Sequence, residues 1–291
     1  MLLTDLPPRI LQQCGETLAT DIREVQYIGG GDINQARLLK TAKGDFFIKF
    51  NHAPFAADMF EKEAHGLSLL AATKTLRIPV TIAHGQTSDA AYLLMEFVNT
   101  GQRPDNFWET FGQKLAALHR KTDPRFGLDH NNYIGSLPQP NGRHDSFVDF
   151  YINERLQPQL QLAISSKVLT VKDEKHFNKL YKQLDSLCPN EPPALIHGDL
   201  WSGNFLVDDH GGPVLIDPSV AYSHRELDLA MSRLFGGFDR RFYRAYEESY
   251  PLAPGFEKRL PIYQLYYLMV HVNLFGGGYV GSVRRILQAF T

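Results

Sequence analysis

The loop His197-Gly198-Asp199-Leu200-Trp201-Ser202-Gly203-Asn204 sets an acid and an amide at opposite ends of a short turn, between the apolar runs Ala194-Leu195-Ile196 and Phe205-Leu206-Val207. Thirteen residues beyond Asn204 comes Asp217, at the end of Val214-Leu215-Ile216. With Asp217 on the next hairpin strand, three oxygen-bearing side chains are expected to converge on one point. Phosphoryl transfer needs such a set, because the protein must hold a hydroxyl nucleophile and a magnesium–triphosphate in line while its electrostatics offset developing charge. Asp199 would accept the hydroxyl proton. Asn204 and Asp217 would offer Mg²⁺ hard oxygen ligands, its other positions being filled by water and phosphate oxygens. Each element alone reads as an ordinary turn residue; the spacing and the company it keeps carry the inference.

The other half of such a site lies in the first hundred residues. Glu24 to Ile28 alternates polar and apolar residues, Gly29-Gly30-Gly31 interrupts it, and Ala36 to Lys40 resumes before a Lys43-Gly44-Asp45 turn, which predicts two antiparallel strands around a glycine loop. The backbone of that loop, at Gly30 and Gly31, is expected to cradle phosphate. Phe46-Phe47-Ile48-Lys49-Phe50 predicts a third strand whose one charged member, Lys49, is placed to touch the α- and β-phosphates. Pro54 opens a helix in which Phe60, Ala64, Leu67 and Ala71 recur at the helical period. Glu63 lies about 60° to one side of that stripe and Glu61 about 100° to the other, so Glu63 is the expected ion-pair partner of Lys49. Tyr92 to Val98 predicts a buried strand, and at its end Glu96 and Val98 would present backbone groups to an adenine. The turn Asn99-Thr100-Gly101 marks a change to helical patterning, which divides the chain into a nucleotide-binding lobe, residues 1–98, and a catalytic and substrate-binding lobe, residues 99–291. Phe107, Phe111, Leu115 and Leu118 form one apolar stripe there, and Phe177, Leu180, Leu184 and Leu187 another. Between them the long irregular stretch Phe126–His144 is of the kind that is often functional.

Composition narrows the class. The chain has 291 residues, 43% hydrophobic and 21% charged, an ordinary globular balance with length for two lobes. Thirty basic against 32 acidic residues leave a net charge of −2, so there is no global basic field to hold nucleic acid. Cys14 and Cys188 are too few for a disulfide framework, and Met1 to Pro8 lacks a basic leader and a sustained apolar run, so a cytoplasmic protein is expected. The apolar stretch Leu265–Val280 carries His271, Asn273 and three consecutive glycines, which reads as a buried helix end and not a membrane span.

The His-Gly-Asp-x-x-x-x-Asn loop with its aspartate at +13 resembles the protein-kinase-like fold in its aminoglycoside and choline kinase branch. Longer strings are similar to one family within it, the fructosamine (ketosamine) kinases: His197 to Asn204 with Trp201, Ile216-Asp217-Pro218, His224-Arg225-Glu226-Leu227-Asp228-Leu229-Ala230-Met231, Pro138-Gln139-Pro140-Asn141 and Tyr263-Gln264-Leu265-Tyr266. The resemblance spans about Tyr27 to Gly276. It implies an α+β, bilobal fold with a small antiparallel-sheet N-lobe and a larger, mainly helical C-lobe. It also implies an ATP- and Mg²⁺-dependent kinase acting on the 3-hydroxyl of a ketosamine, a sugar attached to an amine such as a lysine side chain. On that resemblance Asp199 is the base, Asn204 and Asp217 hold magnesium, Lys49 pairs with Glu63, and Asp228 braces the catalytic loop from a neighbouring helix. Trp201 would face the ketosamine, with His271 and Asn273 lining the sugar pocket or serving as satisfied polar groups on a buried helix.

There are departures from the wider fold. The segment Gly29 to Ala36 is not the Gly-x-Gly-x-x-Gly of protein kinases, and it lacks the cysteine through which some family members form redox-linked dimers. Gly198 replaces the protein-kinase arginine, and no long activation segment separates Asp217 from Asp228. An aminoglycoside or amino-alcohol kinase is the alternative enzyme, but no dense acidic run is present in the second lobe to receive a polycation. A nucleotide-binding scaffold without activity would require loss of Lys49, Asp199, Asn204 or Asp217, and all four are present.

Overall fold

Pro8 occupies the first turn of helix α1 (Pro8–Leu18), where a missing N–H is harmless, and Ile10, Cys14 and Leu18, four residues apart, are its buried face. The computed structural model describes residues 5–29 and 33–290. Its contacts separate two units, Met1–Pro104 with Leu206–Asp217, and Asp105–Phe205 with Pro218–Thr291. In the first, α1 is followed by β1 (Ile22–Tyr27), β2 (Gln35–Thr41), β3 (Gly44–Asn51), α2 (Ala56–Ala72), β4 (Thr81–Gln86) and β5 (Ala91–Glu96). The strands form one antiparallel sheet in the order β1-β2-β3-β5-β4. Ile48 and Phe50 of β3 are buried with Leu39, Leu94 and the inner face of α1. The two-residue period of a strand then turns Lys49 to the opposite face, the face met by α2.

The second unit holds α3 (Phe107–His119), the hairpin β6 (Asn132–Ile134) and β7 (Leu137–Gln139), and α4 (Phe147–Phe150), which runs through a π turn at Tyr151–Leu156 into α5 (Gln157–Ser165). α6 (Val171–Tyr181), α7 (Leu184–Leu187) and β8 (Ala194–Ile196) follow. In chain order the hairpin β9 (Phe205–Val207) and β10 (Pro213–Leu215) comes next, which from Leu206 on belongs to the first unit, and the second unit resumes with β11 (Ala221–Ser223), α8 (Glu226–Leu234), α9 (Arg240–Ser249), α10 (Phe256–Phe275) and α11 (Val280–Ala289). The stripe Phe177 to Leu187 is split between α6 and α7, and the irregular stretch Phe126–His144 contains the hairpin β6–β7. α10 is the centre of the helical core: Ile262, Tyr263 and every residue from Leu265 to Val270 are buried. No helix among the described residues is long and apolar enough to cross a membrane.

The first unit does not stop at Val98. Gly101 N–H donates to the Val207 carbonyl (3.1 Å), Leu215 N–H to the Arg77 carbonyl (3.0 Å), and the Arg77 guanidinium to Asp208 (2.9 Å). These bonds carry Asn99–Pro104 and the hairpin from Leu206 to Asp217 into the unit of the sheet, a long-range pairing that a turn signal at Asn99 does not reveal.

His224, just beyond β11, is fully buried and stacked on Tyr263 with ring centroids 5.3 Å apart. Burial pushes its pKa down to about 4, the Glu191 carboxylate opposing and the Arg225 and Arg259 charges adding to the depression. An unfolded histidine titrates near pH 6.5, so between about 6.5 and 4 the unfolded chain binds the extra proton and stability falls as pH is lowered. The melting temperature of His224→Gln should therefore decline less steeply than that of the wild type between about pH 6.5 and 4; parallel declines would contradict this assignment.

Candidate active site

In the first unit the Lys49 ammonium donates to Glu63 Oε1 (2.7 Å) and to Asp217 Oδ1. Glu63 reaches it because β3 and α2 meet on that face, whereas Glu61, on the outer side of the helix, is exposed beside Lys62 (3.5 Å). Burial alone would pull the Lys49 pKa down, but the Asp217 and Glu63 carboxylates outweigh it and hold the pKa above the ordinary lysine value, so the side chain is a fixed cation. Asp217 has φ +55°, a left-handed conformation that few residues other than glycine adopt and that aspartate tolerates. Its side chain stays 42% exposed despite the ion pair. The Glu96 N–H is taken by the Val80 carbonyl (2.9 Å) and its carboxylate pairs with Arg77 (3.3 Å), while Val98 is buried two residues beyond the end of β5. Gly30 and Gly31 lie outside the described residues.

In the second unit the loop after β8 is held from below. β8 pairs antiparallel with β11, Ala221 opposite Ile196, and the pairing continues as Ser219 N–H donates to the His197 carbonyl (2.9 Å). Gly198 has φ +84°, and a Cβ there would collide with the Ser219 carbonyl oxygen. Glycine at this position is thus required by the close approach of the two chain segments. From α8, the buried Asp228 carboxylate accepts the N–H groups of His197 (2.7 Å) and Gly198 (2.8 Å) and faces His119 Nε2 (3.1 Å), whose Nδ1 meets Tyr246 Oη (2.8 Å). Burial works to raise the Asp228 pKa; the hydrogen bond from His119, the proximity of His119 and His197, and the Gly198 N–H bring it below the ordinary carboxylate value. Asp228 is therefore an ionised brace. His119 was not foreseen: at the end of an apolar helix nothing marks a histidine as the partner of an aspartate more than a hundred residues away.

Above this floor the Asn204 amide donates to the Asp199 carbonyl (2.9 Å) and to Asp199 Oδ2 (3.0 Å), which orients the half-buried carboxylate. The Asn204 amide nitrogen is a donor only, so the atom it can offer a cation is Oδ1. An amide oxygen and a carboxylate are the donor chemistry that suits Mg²⁺. Trp201 is 37% exposed, its indole lying where a Cβ on Gly203 would be, which explains glycine in the loop. The indole meets Phe235 edge-on (6.4 Å), and Phe235 packs on His271 (4.6 Å), which also contacts Tyr279 (5.1 Å) and the half-exposed Phe275 (5.4 Å). Trp201 and His271 thus belong to one aromatic surface through Phe235, a residue that sequence patterning did not single out. Burial lowers the His271 pKa, and its Nδ1 bonds the Tyr267 carbonyl (2.8 Å). The Asn273 amide nitrogen donates to the backbone (2.9 Å) and side-chain (2.7 Å) oxygens of Gln159, which ties α10 to α5, while its Oδ1 is buried with no hydrogen-bond partner among the described residues.

The family model for fructosamine kinase matches residues 8–291. The chain belongs to the fructosamine kinase family. It is 43% identical over 277 residues to the "probable ketoamine kinase" of Lactiplantibacillus plantarum, covering 93% of this chain and 95% of that one. It is 38% identical over 287 residues to the chloroplastic protein-ribulosamine 3-kinase of Arabidopsis thaliana, covering 94% and 85%. A crystal structure assigned to fructosamine-3-kinase from Haemophilus somnus superimposes with a TM-score of 0.88 at 27% identity, covering 97% and 96%. An aminoglycoside phosphotransferase solved with ADP and hygromycin B, 15% identical with a TM-score of 0.66 over 98% and 99% of the two chains, shares the fold. The expected α+β kinase-like fold is therefore the observed one, and this family member is an ATP-dependent kinase.

The contact between Gly198 and Ser219 generates a direct test. Gly198→Ala must push the two segments apart and displace Asp199 with them; since a misplacement of about 1 Å can cost 10²-fold in rate, kcat should fall by about that factor. Unchanged steady-state turnover in a folded Gly198→Ala protein would show that the approach does not position the loop.

Proposed function

We propose that the chain transfers the γ-phosphoryl group of ATP to the 3-hydroxyl of a ketosamine, a fructose or ribulose unit attached to an amine such as the lysine side chain. The observation that carries this reading is the catalytic loop itself. Asp199 is oriented by Asn204 on a backbone braced by Asp228, and two residues further on an exposed indole opens an aromatic surface. In the reaction, Asp199 accepts the proton of the 3-hydroxyl as its oxygen forms a bond to the γ-phosphorus and the bond from that phosphorus to the β-phosphate oxygen breaks, releasing ADP. Lys49, kept charged and aimed by Glu63, offsets negative charge on the α- and β-phosphates. The backbone of Glu96 and Val98, at the end of β5, would meet the adenine edge, the Glu96 N–H itself being engaged by the Val80 carbonyl. Asn204 Oδ1 and the Asp217 carboxylate would hold Mg²⁺, which when bound neutralises phosphate charge. A sugar presents an apolar face and the amine an aliphatic arm, and Trp201 with Phe235 and His271 offers an aromatic surface suited to both without a charge cluster.

Asp199→Asn should leave nucleotide affinity within a few-fold and lower kcat by about 10²–10⁴, the range for loss of a general base. Wild-type turnover in that variant would remove Asp199 from the role. Steady-state ADP release with fructoselysine and ribuloselysine, beside kanamycin and choline, tests the acceptor. Both ketosamines should be phosphorylated, and Trp201→Ala should lower kcat/KM for fructoselysine by at least about tenfold with ATP binding nearly intact. Turnover of kanamycin or choline with both ketosamines inert would instead identify an aminoglycoside- or choline-type kinase.

A further inference from the structure

Beneath the catalytic loop lies a buried polar network that the reaction scheme leaves unused. Arg155, in the π turn and 2% exposed, donates to the carbonyls of Pro140 (2.6 Å) and Glu154 (3.0 Å) and to Asn141 Oδ1 (2.7 Å), and its guanidinium lies over the Phe150 ring (4.4 Å). Among the described residues it pairs with no carboxylate. Asn141 Nδ2 passes the chain on to Asn132 Oδ1 (2.8 Å), which also accepts from Gln139 Nε2 (2.8 Å). The Gln139 Oε1 accepts from Tyr266 Oη of α10 (2.6 Å). The network ends on backbone: Gln139 Nε2 donates to the Ser219 carbonyl (3.2 Å) and Asn132 Nδ2 to that of Val220 (2.9 Å), while Ser219 Oγ donates to the Tyr133 carbonyl (2.8 Å).

We propose that Gln139, Asn132, Asn141 and Arg155 are positioning residues that set the register of the segment following Asp217 against the catalytic loop. Ser219 makes the connection. It is two residues beyond Asp217 in the chain, its N–H bonds His197, and its carbonyl is the atom on which Gly198 rests. A shift of Ser219 is passed to His197 and Gly198 and so to Asp199. Hydrophobic packing could fill the same volume at lower desolvation cost, because a buried guanidinium and three buried amides are costly unless every donor is matched. What packing could not do is fix two carbonyls, those of Ser219 and Val220, at one setting: apolar contacts slide, whereas a satisfied hydrogen-bond network has a single register. The inference rests on the phosphotransfer reading above and extends it to the string Pro138-Gln139-Pro140-Asn141, whose polar members are spent here.

The test compares Gln139→Leu, which removes both donors and the Tyr266 acceptor, with Tyr266→Phe, which removes one hydroxyl, each rate normalised to the folded fraction from thermal melts. Gln139→Leu should lower kcat with fructoselysine by about tenfold or more with KM for ATP within about twofold, and Tyr266→Phe should lower kcat by about two- to fivefold. A purely structural role would lower the melting temperature and leave kcat per folded molecule at the wild-type value; that result in both variants overturns the proposal, and if Gln139→Leu does not fold, Tyr266→Phe decides by the same criterion. Should the wild type phosphorylate no ketosamine, the substrate reading fails separately. The variant-to-wild-type ratio is then read from acceptor-independent ATP hydrolysis, with the same outcomes.

Discussion

A single buried carboxylate sets the geometry of the catalytic loop. Asp228 has no access to water, so its charge is tolerable only because three donors converge on it, the N–H groups of His197 and Gly198 and the imidazole of His119. Those two backbone groups belong to the residues immediately before Asp199. If the carboxylate were lost, two buried N–H groups would lose the acceptor that holds them, at a cost of about 1–3 kcal/mol for each buried group left unsatisfied, and the loop would be less tightly fixed. Gly198 is the other side of the same constraint, since its left-handed backbone and missing Cβ let the loop lie directly on Ser219.

The first unit applies the same logic with opposite sign. Lys49 is a buried cation held by two acids of different standing, Glu63 at 12% side-chain exposure and Asp217 at 42%. The buried acid keeps the ammonium aimed and charged. The exposed one, in its left-handed backbone setting, retains a face toward solvent. An arrangement of this kind costs desolvation energy and adds little stability, which is the expected signature of charges kept for chemistry.

Much of this was legible in residue order, where local periodicity carries the signal. The 100° step of a helix separates Glu63 from Glu61, and the alternation of β3 isolates Lys49 from Ile48 and Phe50. The eight-residue loop announces its acid and amide directly. Elements without strong periodicity were not legible: β4, with histidine and glycine in its middle, and the three-residue strands of the β6–β7 hairpin, whose partners are buried amides. α1 carries a readable signal in Pro8 and the four-residue spacing of Ile10, Cys14 and Leu18. The braces were hidden for a different reason. His119 to Asp228 and Gln139 to Ser219 join residues 109 and 80 positions apart, and no local pattern distinguishes such a partner from any other polar residue. The lobe boundary shifted on the same account, through bonds from Gly101 and Arg77 to the distant β9–β10 hairpin.

The central claim is that Asp228 acts on the reaction only by placing the loop that carries Asp199. A double-mutant cycle measures this directly, with kcat for Asp199→Asn, Asp228→Asn and the double variant taken at a temperature where all three are folded. If the brace works through the base, removing it from a protein that already lacks the base should change little, and the double variant should turn over within about threefold of Asp199→Asn. If the two losses multiply, Asp228 contributes by a route independent of Asp199, and the account is wrong at its foundation.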